Sequence, residues 1–195
     1  MTWASGLRQC SQPVSATETR TVETCVRYLA CGVAAAVLIG TGGLATGGDE
    51  AVVAAPKGSQ LVIELFADGV QIHTCDPKDD GYYWSFKAPE ANLFDKQGRQ
   101  VGRHFTGPTW STDDGSEVVG EVAAKTDAPE PGAIQWLLLR VKSHQGSGPL
   151  STAAYIRRAD TKGGAAPKTG CDAQHLSEQA RMRYSATYQF FKMAK

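Results

Sequence analysis

From residue 60 onward, apolar residues come in short runs that alternate with polar residues, and glycine or proline separates one run from the next. Successive side chains of a strand point to opposite faces of a sheet, so this two-residue period predicts strands that bury one face. No long helical period interrupts the pattern. About eight to ten short strands at this spacing predict an all-β fold, a single antiparallel β-sandwich or barrel, with at most one short helix at 172–180.

Turn residues place the individual strands. The dipeptide Asp68-Gly69 lies between two β-rich runs and suits the positive φ of a tight turn, so we expect a hairpin here. Pro89 is expected to end the strand before it, because proline cannot donate a hydrogen bond to a neighbouring strand. Strands are also expected at 82–88, 91–95, 100–105, 117–124, 134–141, 153–159 and 184–191.

The N-terminal part of the chain has a different character. Residues 29–45 carry no charge, follow Arg27, and end in a small-x-small sequence, Gly-Leu-Ala at 43–45. This pattern predicts a cleaved signal peptide over 1–45, with an over-long N-terminus because the apolar run begins far from residue 1. A retained membrane anchor is the alternative. A flexible lead-in (46–57) and a single all-β domain (58–195) are expected to follow.

Export decides how the five cysteines are interpreted. Cys10, Cys25 and Cys31 fall within the predicted signal peptide, which leaves only Cys75 and Cys171. An even pair in a secreted protein, or in a protein of the periplasm or cell envelope, predicts one disulfide bond, since these compartments are oxidising. Two buried free thiols are the alternative.

The charge balance argues against two classes of partner. Lysine and arginine total 20, and aspartate and glutamate also total 20. A nucleic-acid-binding protein needs a basic face that replaces counterions, so we expect no nucleic-acid partner. The chain also has no polybasic run that would attract it to an anionic membrane, and no stable anchor is expected after cleavage.

The stretch 102–117, GRHFTGPTWSTDDGSE, places several chemically active side chains between two apolar runs. An exposed tryptophan beside a histidine and carboxylates forms a good shelf for a sugar ring or another planar ligand. The candidate ligand-binding residues are therefore His104, Trp110, Asp113, Asp114 and Ser116. The alternative is a structural loop in which Trp110 plugs one end of the fold and Asp114 binds turn amides.

Other chemistries find little support in the residue spacing. The four histidines do not form a pair with metal-ligand spacing, and two adjacent aspartates before a glycine are more typical of a turn than of a calcium site. Ser116 lies in no Gly-x-Ser-x-Gly elbow, and no Gly-x-Gly-x-x-Gly motif joins a strand to a helix. We therefore expect neither a metal nor a cofactor.

Several segments carry a resemblance to a known family. They are, in order, 69–75 (GVQIHTC), Trp84 with 88–91 (APEA), 102–110 (GRHFTGPTW), 114–116 (DGS), 136–139 (WLLL), 161–167 (TKGGAAP) with Cys171, and 184–191 (YSATYQFF). This set resembles the family called domain of unknown function 3455, whose members are mostly exported proteins of bacteria and fungi. The resemblance implies export and a β-rich domain but no established reaction. His73 departs from the family, in which an aromatic residue is common, and this weakens a catalytic role for it.

These observations favour an exported, non-enzymatic protein that binds a small molecule, a glycan or a protein partner. One alternative is an extracytoplasmic enzyme that uses His104 with Asp113 or Asp114 as acid and base. The other is a purely structural surface protein. An enzyme needs a titratable group with a shifted pKa in a cleft, a binding protein needs an exposed aromatic shelf, and a structural protein is expected to bury Trp110.

Overall fold

A computed structural model describes residues 47–194, so the predicted signal peptide lies outside the described residues. The elements are a short helix α1 (Gly47–Val52), strands β1 (Ser59–Lys78), β2 (Gly81–Phe94), β3 (Gln100–Phe105), β4 (Thr109–Thr112), β5 (Glu117–Thr126) and β6 (Trp136–Gln145), a 3₁₀ turn (Pro149–Thr152), and strands β7 (Tyr155–Gly163) and β8 (Gln179–Met193). No helix between residues 47 and 194 has the length and apolar character needed to cross a membrane.

The eight strands form one closed antiparallel barrel in sequence order, and β8 pairs with β1 to complete it. The all-β prediction is therefore confirmed, and of its two forms the structure is the barrel. In such a barrel, consecutive connections alternate between the two ends. The loops after β1, β3, β5 and β7 form one end, here called the mouth end, and the loops after β2, β4 and β6 form the other, the closed end.

Large apolar side chains fill the barrel towards the closed end. Leu65, Leu93, Ile156 and Phe190 project inward from four different strands and are completely buried. Leu150, which belongs to the 3₁₀ turn between β6 and β7, is also completely buried and packs against this cluster. Burial of such side chains stabilises the fold by about 1.5–3 kcal/mol each. The closed end is therefore a packed hydrophobic core.

The hairpin expected at Asp68-Gly69 is wrong, because β1 continues through both residues for a total of 20 residues. Gly69 pairs with Ala91 on one side and Tyr184 on the other. A Cβ atom at Gly69 would collide with the carbonyl oxygen of Glu90. The glycine thus permits a close approach of two strands, whereas the turn between β1 and β2 lies ten residues later.

Pro89 does not end a strand, because 82–88 and 91–95 join in the single strand β2. The β1–β2 register shifts between Ile72 and His73, which leaves Lys87 without a partner residue, and Pro89 lies two residues from this bulge. A bulge tolerates proline because the regular ladder is already interrupted there. The structure therefore accommodates a residue that usually interrupts central strands.

The one short helix is also in a different place. Residues 172–180 form turns and the beginning of β8, whereas α1 lies in the segment expected to be a flexible lead-in. Val53, just after α1, is completely buried. The expected helix at 172–180 lacked an apolar stripe, so no face was available for it to pack against the barrel.

Candidate functional site

The barrel contains a cavity of about 640 Å³ towards its mouth end, here called the mouth cavity. This volume lies within the range of small-molecule sites. Each strand contributes at least one lining residue, and the loops at 107–108, 133–135 and 164–166 line it from the mouth end. One residue from each strand is Gln71, Pro89, His104, Trp110, Val122, Leu139, Arg158 and Tyr188. The cavity is therefore the unfilled half of the barrel interior.

Three aromatic rings pack together in the wall of the mouth cavity. The rings of His104 and Trp110 are stacked, with centroids 4.3 Å apart and planes 7° apart. The Tyr188 ring meets both edge-on, at 5.1 Å from His104 and 5.3 Å from Trp110. Stacked and edge-on aromatic pairs hold one another in fixed positions. This cluster separates the cavity from the apolar core.

His104 is a neutral side chain in this cluster. Its Nδ1–H donates to the carbonyl oxygen of Thr109 at 2.8 Å, which leaves Nε2 as an acceptor. Burial lowers the pKa of His104 to about 3, and the positive charge of Arg158 lowers it further against the raising effect of the Thr109 bond. His104 therefore carries no charge at neutral pH and does not exchange protons there.

The wall of the mouth cavity contains hydrogen-bonding groups without partners. Four lining residues each have a buried polar atom that makes no hydrogen bond: Gln71 Nε2, His73 Nδ1, Trp110 Nε1 and the Tyr188 hydroxyl. A buried polar group without a partner costs about 1–3 kcal/mol. Native proteins usually leave few such groups, so a cluster of them around one cavity marks a place where water or a ligand completes the bonding.

Arg158 lies in the same wall, half-buried on the inward face of β7. Its Nε and Nη2 atoms donate to the carbonyl oxygen of Gln135 at 3.0 Å and 2.7 Å. Its charge also acts on Tyr184 and Tyr188: burial raises the pKa of both hydroxyls, and Arg158 opposes that rise. A guanidinium group is thus fixed at the cavity wall beside two neutral tyrosines.

The loop after β7, residues 164–178, forms one side of the mouth and is held at three points. The disulfide Cys75–Cys171 joins it to β1, which confirms the predicted bond. His73 Nε2 donates to the Gly164 carbonyl at 3.1 Å, and Trp84 Nε1 donates to the Thr169 carbonyl at 2.9 Å. This loop contributes three lining residues, so these attachments fix part of the cavity wall.

A family model described as a protein of unknown function, DUF3455, matches residues 56–192. The chain belongs to this family. The resemblance seen in the sequence is therefore confirmed over nearly the whole barrel of the DUF3455 protein. No curated protein and no solved structure matches it.

The DUF3455 barrel does not bring the five candidate site residues together. His104 and Trp110 line the mouth cavity, whereas Asp113, Asp114 and Ser116 lie in or beside the β4–β5 turn at the closed end. Trp110 is only 1% exposed, so it is not the exposed shelf that the sequence suggested. Its ring forms part of an interior wall, in line with the structural alternative for this residue.

Asp114 organises the β4–β5 turn. Its Oδ1 accepts hydrogen bonds from the Thr112 hydroxyl, the Ser116 amide and the Ser116 hydroxyl, at 2.8, 2.8 and 2.7 Å. Burial alone would raise the pKa of Asp114, but the bonds from Ser116 and Thr112 outweigh it and hold the pKa below its usual value. This is the turn-capping role given as the alternative in the sequence analysis.

The expected acid–base pair does not form either. His104 bonds to a backbone carbonyl, and Asp114 bonds to the turn at the other end of the barrel. Within residues 47–194, no group of three or more histidine, cysteine, aspartate or glutamate side chains is placed to hold a metal ion. The chemically distinctive groups are instead those of the mouth cavity.

Sequence reasoning missed Gln71, Arg158 and Tyr188 as site residues. One signal was present, since Ile156 and Arg158 occupy alternate positions of β7 and so share its inward face. An arginine on the face that also carries a buried isoleucine indicates a charge directed into the fold. The neighbouring Arg157 is directed outward, where it pairs with Glu50.

Proposed function

We propose that this DUF3455 protein is exported and reversibly binds a small molecule in the mouth cavity without catalysing a reaction on it. The observation that carries the proposal is the cavity itself, with four unpartnered polar atoms in the wall of an otherwise closed barrel. A ligand that reaches these groups recovers hydrogen bonds that the folded protein lacks. Rigid walls also reduce the entropy that binding costs.

Two features favour binding over catalysis. A general acid or base works best with a pKa near the working pH. Burial moves the pKa of His104 far below neutral and that of Tyr188 above its usual value, so neither group exchanges protons readily near pH 7. The disulfide supports export, because such bonds persist mainly in oxidising compartments.

The binding test uses N-phenyl-1-naphthylamine, an uncharged apolar dye whose fluorescence rises in a dry site. Val122→Trp adds bulk to a lining residue that is 53% exposed at the mouth. Leu61→Trp makes a similar change at a residue that is 48% exposed and does not line the cavity. We expect saturable dye binding that Val122→Trp weakens at least tenfold and Leu61→Trp leaves unchanged. Absence of binding, or equal effects of both variants, would refute the proposal.

Export and occupancy are tested on protein recovered from its own host. A denatured mass should correspond to a chain without residues 1–45 and should be two hydrogens lighter than the reduced form. A native mass that exceeds the denatured mass by a small molecule would support binding. A mature chain that retains residues 1–45 would refute the cleaved leader.

A further inference from the structure

We propose that the ligand of the mouth cavity is a monocarboxylate with an apolar body, and that Arg158 binds its carboxylate. This inference rests on the proposed binding function and specifies the chemical class of the ligand. It follows from the charge of the cavity wall, the position of the guanidinium group and the apolar character of the rest of the lining.

The charge of the lining is one-sided. Lys87, Lys125 and Arg158 line the mouth cavity, whereas no aspartate or glutamate does. None of these three side chains makes a salt bridge with another residue of the described chain. A cationic ligand would meet three like charges, and Coulomb interactions are strong in a site with little water. The wall therefore favours an anion.

Arg158 is prepared to bind that anion. The two bonds to the Gln135 carbonyl use one side of the guanidinium group and fix its orientation. No acceptor of the described residues bonds to Nη1, so the edge formed by Nη1 and Nη2 is available. A planar guanidinium edge matches the two oxygens of a carboxylate and forms two parallel hydrogen bonds with it. A single available edge suits one carboxylate.

The neighbouring donors add to this preference. Trp110 Nε1 is a donor only, Gln71 Nε2 is a donor, and the Tyr188 hydroxyl is able to donate, and all three lack a partner. His104 is neutral, so the positive charge in the wall comes from Arg158 and the lysines. Carboxylate oxygens accept several hydrogen bonds, whereas an alcohol accepts fewer and an ammonium group accepts none.

The remaining lining suits an apolar body. Ile134, Leu137 and Leu139 contribute aliphatic surface to the cavity. Phe86 and Val122 line it near the mouth and are 58% and 53% exposed. Exposed apolar side chains at the rim gain free energy when a hydrocarbon group covers them, at about 25 cal/mol per Å². The ligand is therefore amphipathic, with its charge at Arg158 and its body against these residues.

The test compares three probes of equal chain length at pH 7.5: octanoate, 1-octanol and octylamine. Each displaces N-phenyl-1-naphthylamine from the wild-type protein in competition titrations. We expect octanoate to bind at least about tenfold more tightly than octanol, because a charged hydrogen bond exceeds a neutral one by this margin, and octylamine to bind most weakly. Equal affinity for octanoate and octanol would overturn the inference, and this comparison needs no variant.

Variants then assign the preference to one side chain. Arg158→Met should remove the preference for octanoate while the dye still binds. Arg157→Met, at the neighbouring outward-facing position, should keep the wild-type preference. Arg158→Lys retains the charge but not the planar edge, so it should keep only part of the preference, and it serves if Arg158→Met does not fold. A preference that survives unchanged in Arg158→Met or Arg158→Lys would overturn the role of Arg158.

The outcomes separate the two proposals. If the dye does not bind at all, the proposed binding function fails and the ligand class fails with it. If the dye binds but octanoate has no advantage, the cavity is a binding site and only the carboxylate inference fails.

Discussion

Acidification should destabilise the barrel through His104, and the size of the effect follows from its burial. Burial lowers the pKa of His104 in the folded protein to about 3, whereas a histidine in an unfolded chain has a pKa of about 6.5. Between these values the unfolded chain binds a proton that the folded chain does not. The free energy of unfolding therefore falls as the pH falls from about 6.5 towards 3, and it is undiminished above this window. The total loss approaches about 5 kcal/mol, of which about 2 kcal/mol falls between pH 7 and pH 5.

The variant His104→Asn isolates this contribution. Asparagine places an N–H group near the position of Nδ1, so it is able to bond the Thr109 carbonyl, but it does not titrate. Urea unfolding at pH 7, 6 and 5, with the disulfide intact, should show that the wild type loses about 2 kcal/mol more than the variant. The exposed His175 has a raised pKa and contributes with the opposite sign, but it is present in both proteins and cancels.

Two results would refute the reasoning. Parallel pH profiles for the wild type and His104→Asn would mean that His104 titrates in the folded protein near its ordinary pKa. A change in the NMR shift of the His104 ring between pH 8 and pH 5 would show the same directly. His144→Gln, which replaces an exposed histidine, should keep the wild-type profile and controls for the loss of a histidine as such.

Three further changes test the frame of the site. Replacing Cys75 and Cys171 together by serine should lower the free energy of unfolding by about 4–5 kcal/mol, measured in urea, because the bond closes a loop of 96 residues; unchanged stability would refute this role. Gly69→Ala should lower the melting temperature sharply, because a Cβ there collides with β2, whereas Gly81→Ala, which has open space, should have little effect. Trp110→Ala should cost about 3–5 kcal/mol in urea unfolding, since its ring is buried, and a smaller loss would place the ring outside the core.

The strands could be predicted from the sequence because the two-residue period directly reflects which side chains face inward. Turns were harder, because a residue that suits a turn also serves other purposes. Gly69 permits two strands to approach closely, and Pro89 sits beside a bulge. In both cases the pairing of distant strands, which the local sequence does not contain, determined the role of the residue.

The site was only half predictable for the same reason. The stretch 102–117 is continuous in sequence, yet β3 and β4 carry its two halves to opposite ends of the barrel. His104 and Trp110 thus reach the mouth cavity, while Asp114 completes a turn at the closed end. Gln71 and Arg158 join the first two residues only because β1 and β7 belong to the same closed barrel. Spacing along the chain does not reveal such a meeting.

The two ends of the barrel also indicate that the mouth cavity is more than a packing defect. A cavity left by imperfect packing is lined by apolar side chains and stays dry. The closed end shows that this barrel is able to fill its interior with leucine, isoleucine and phenylalanine. The mouth cavity instead contains a guanidinium group that no carboxylate of the described chain neutralises, together with unpartnered donors. An uncompensated charge and several unmet hydrogen bonds all destabilise the free protein, and one anionic ligand offsets both costs at once.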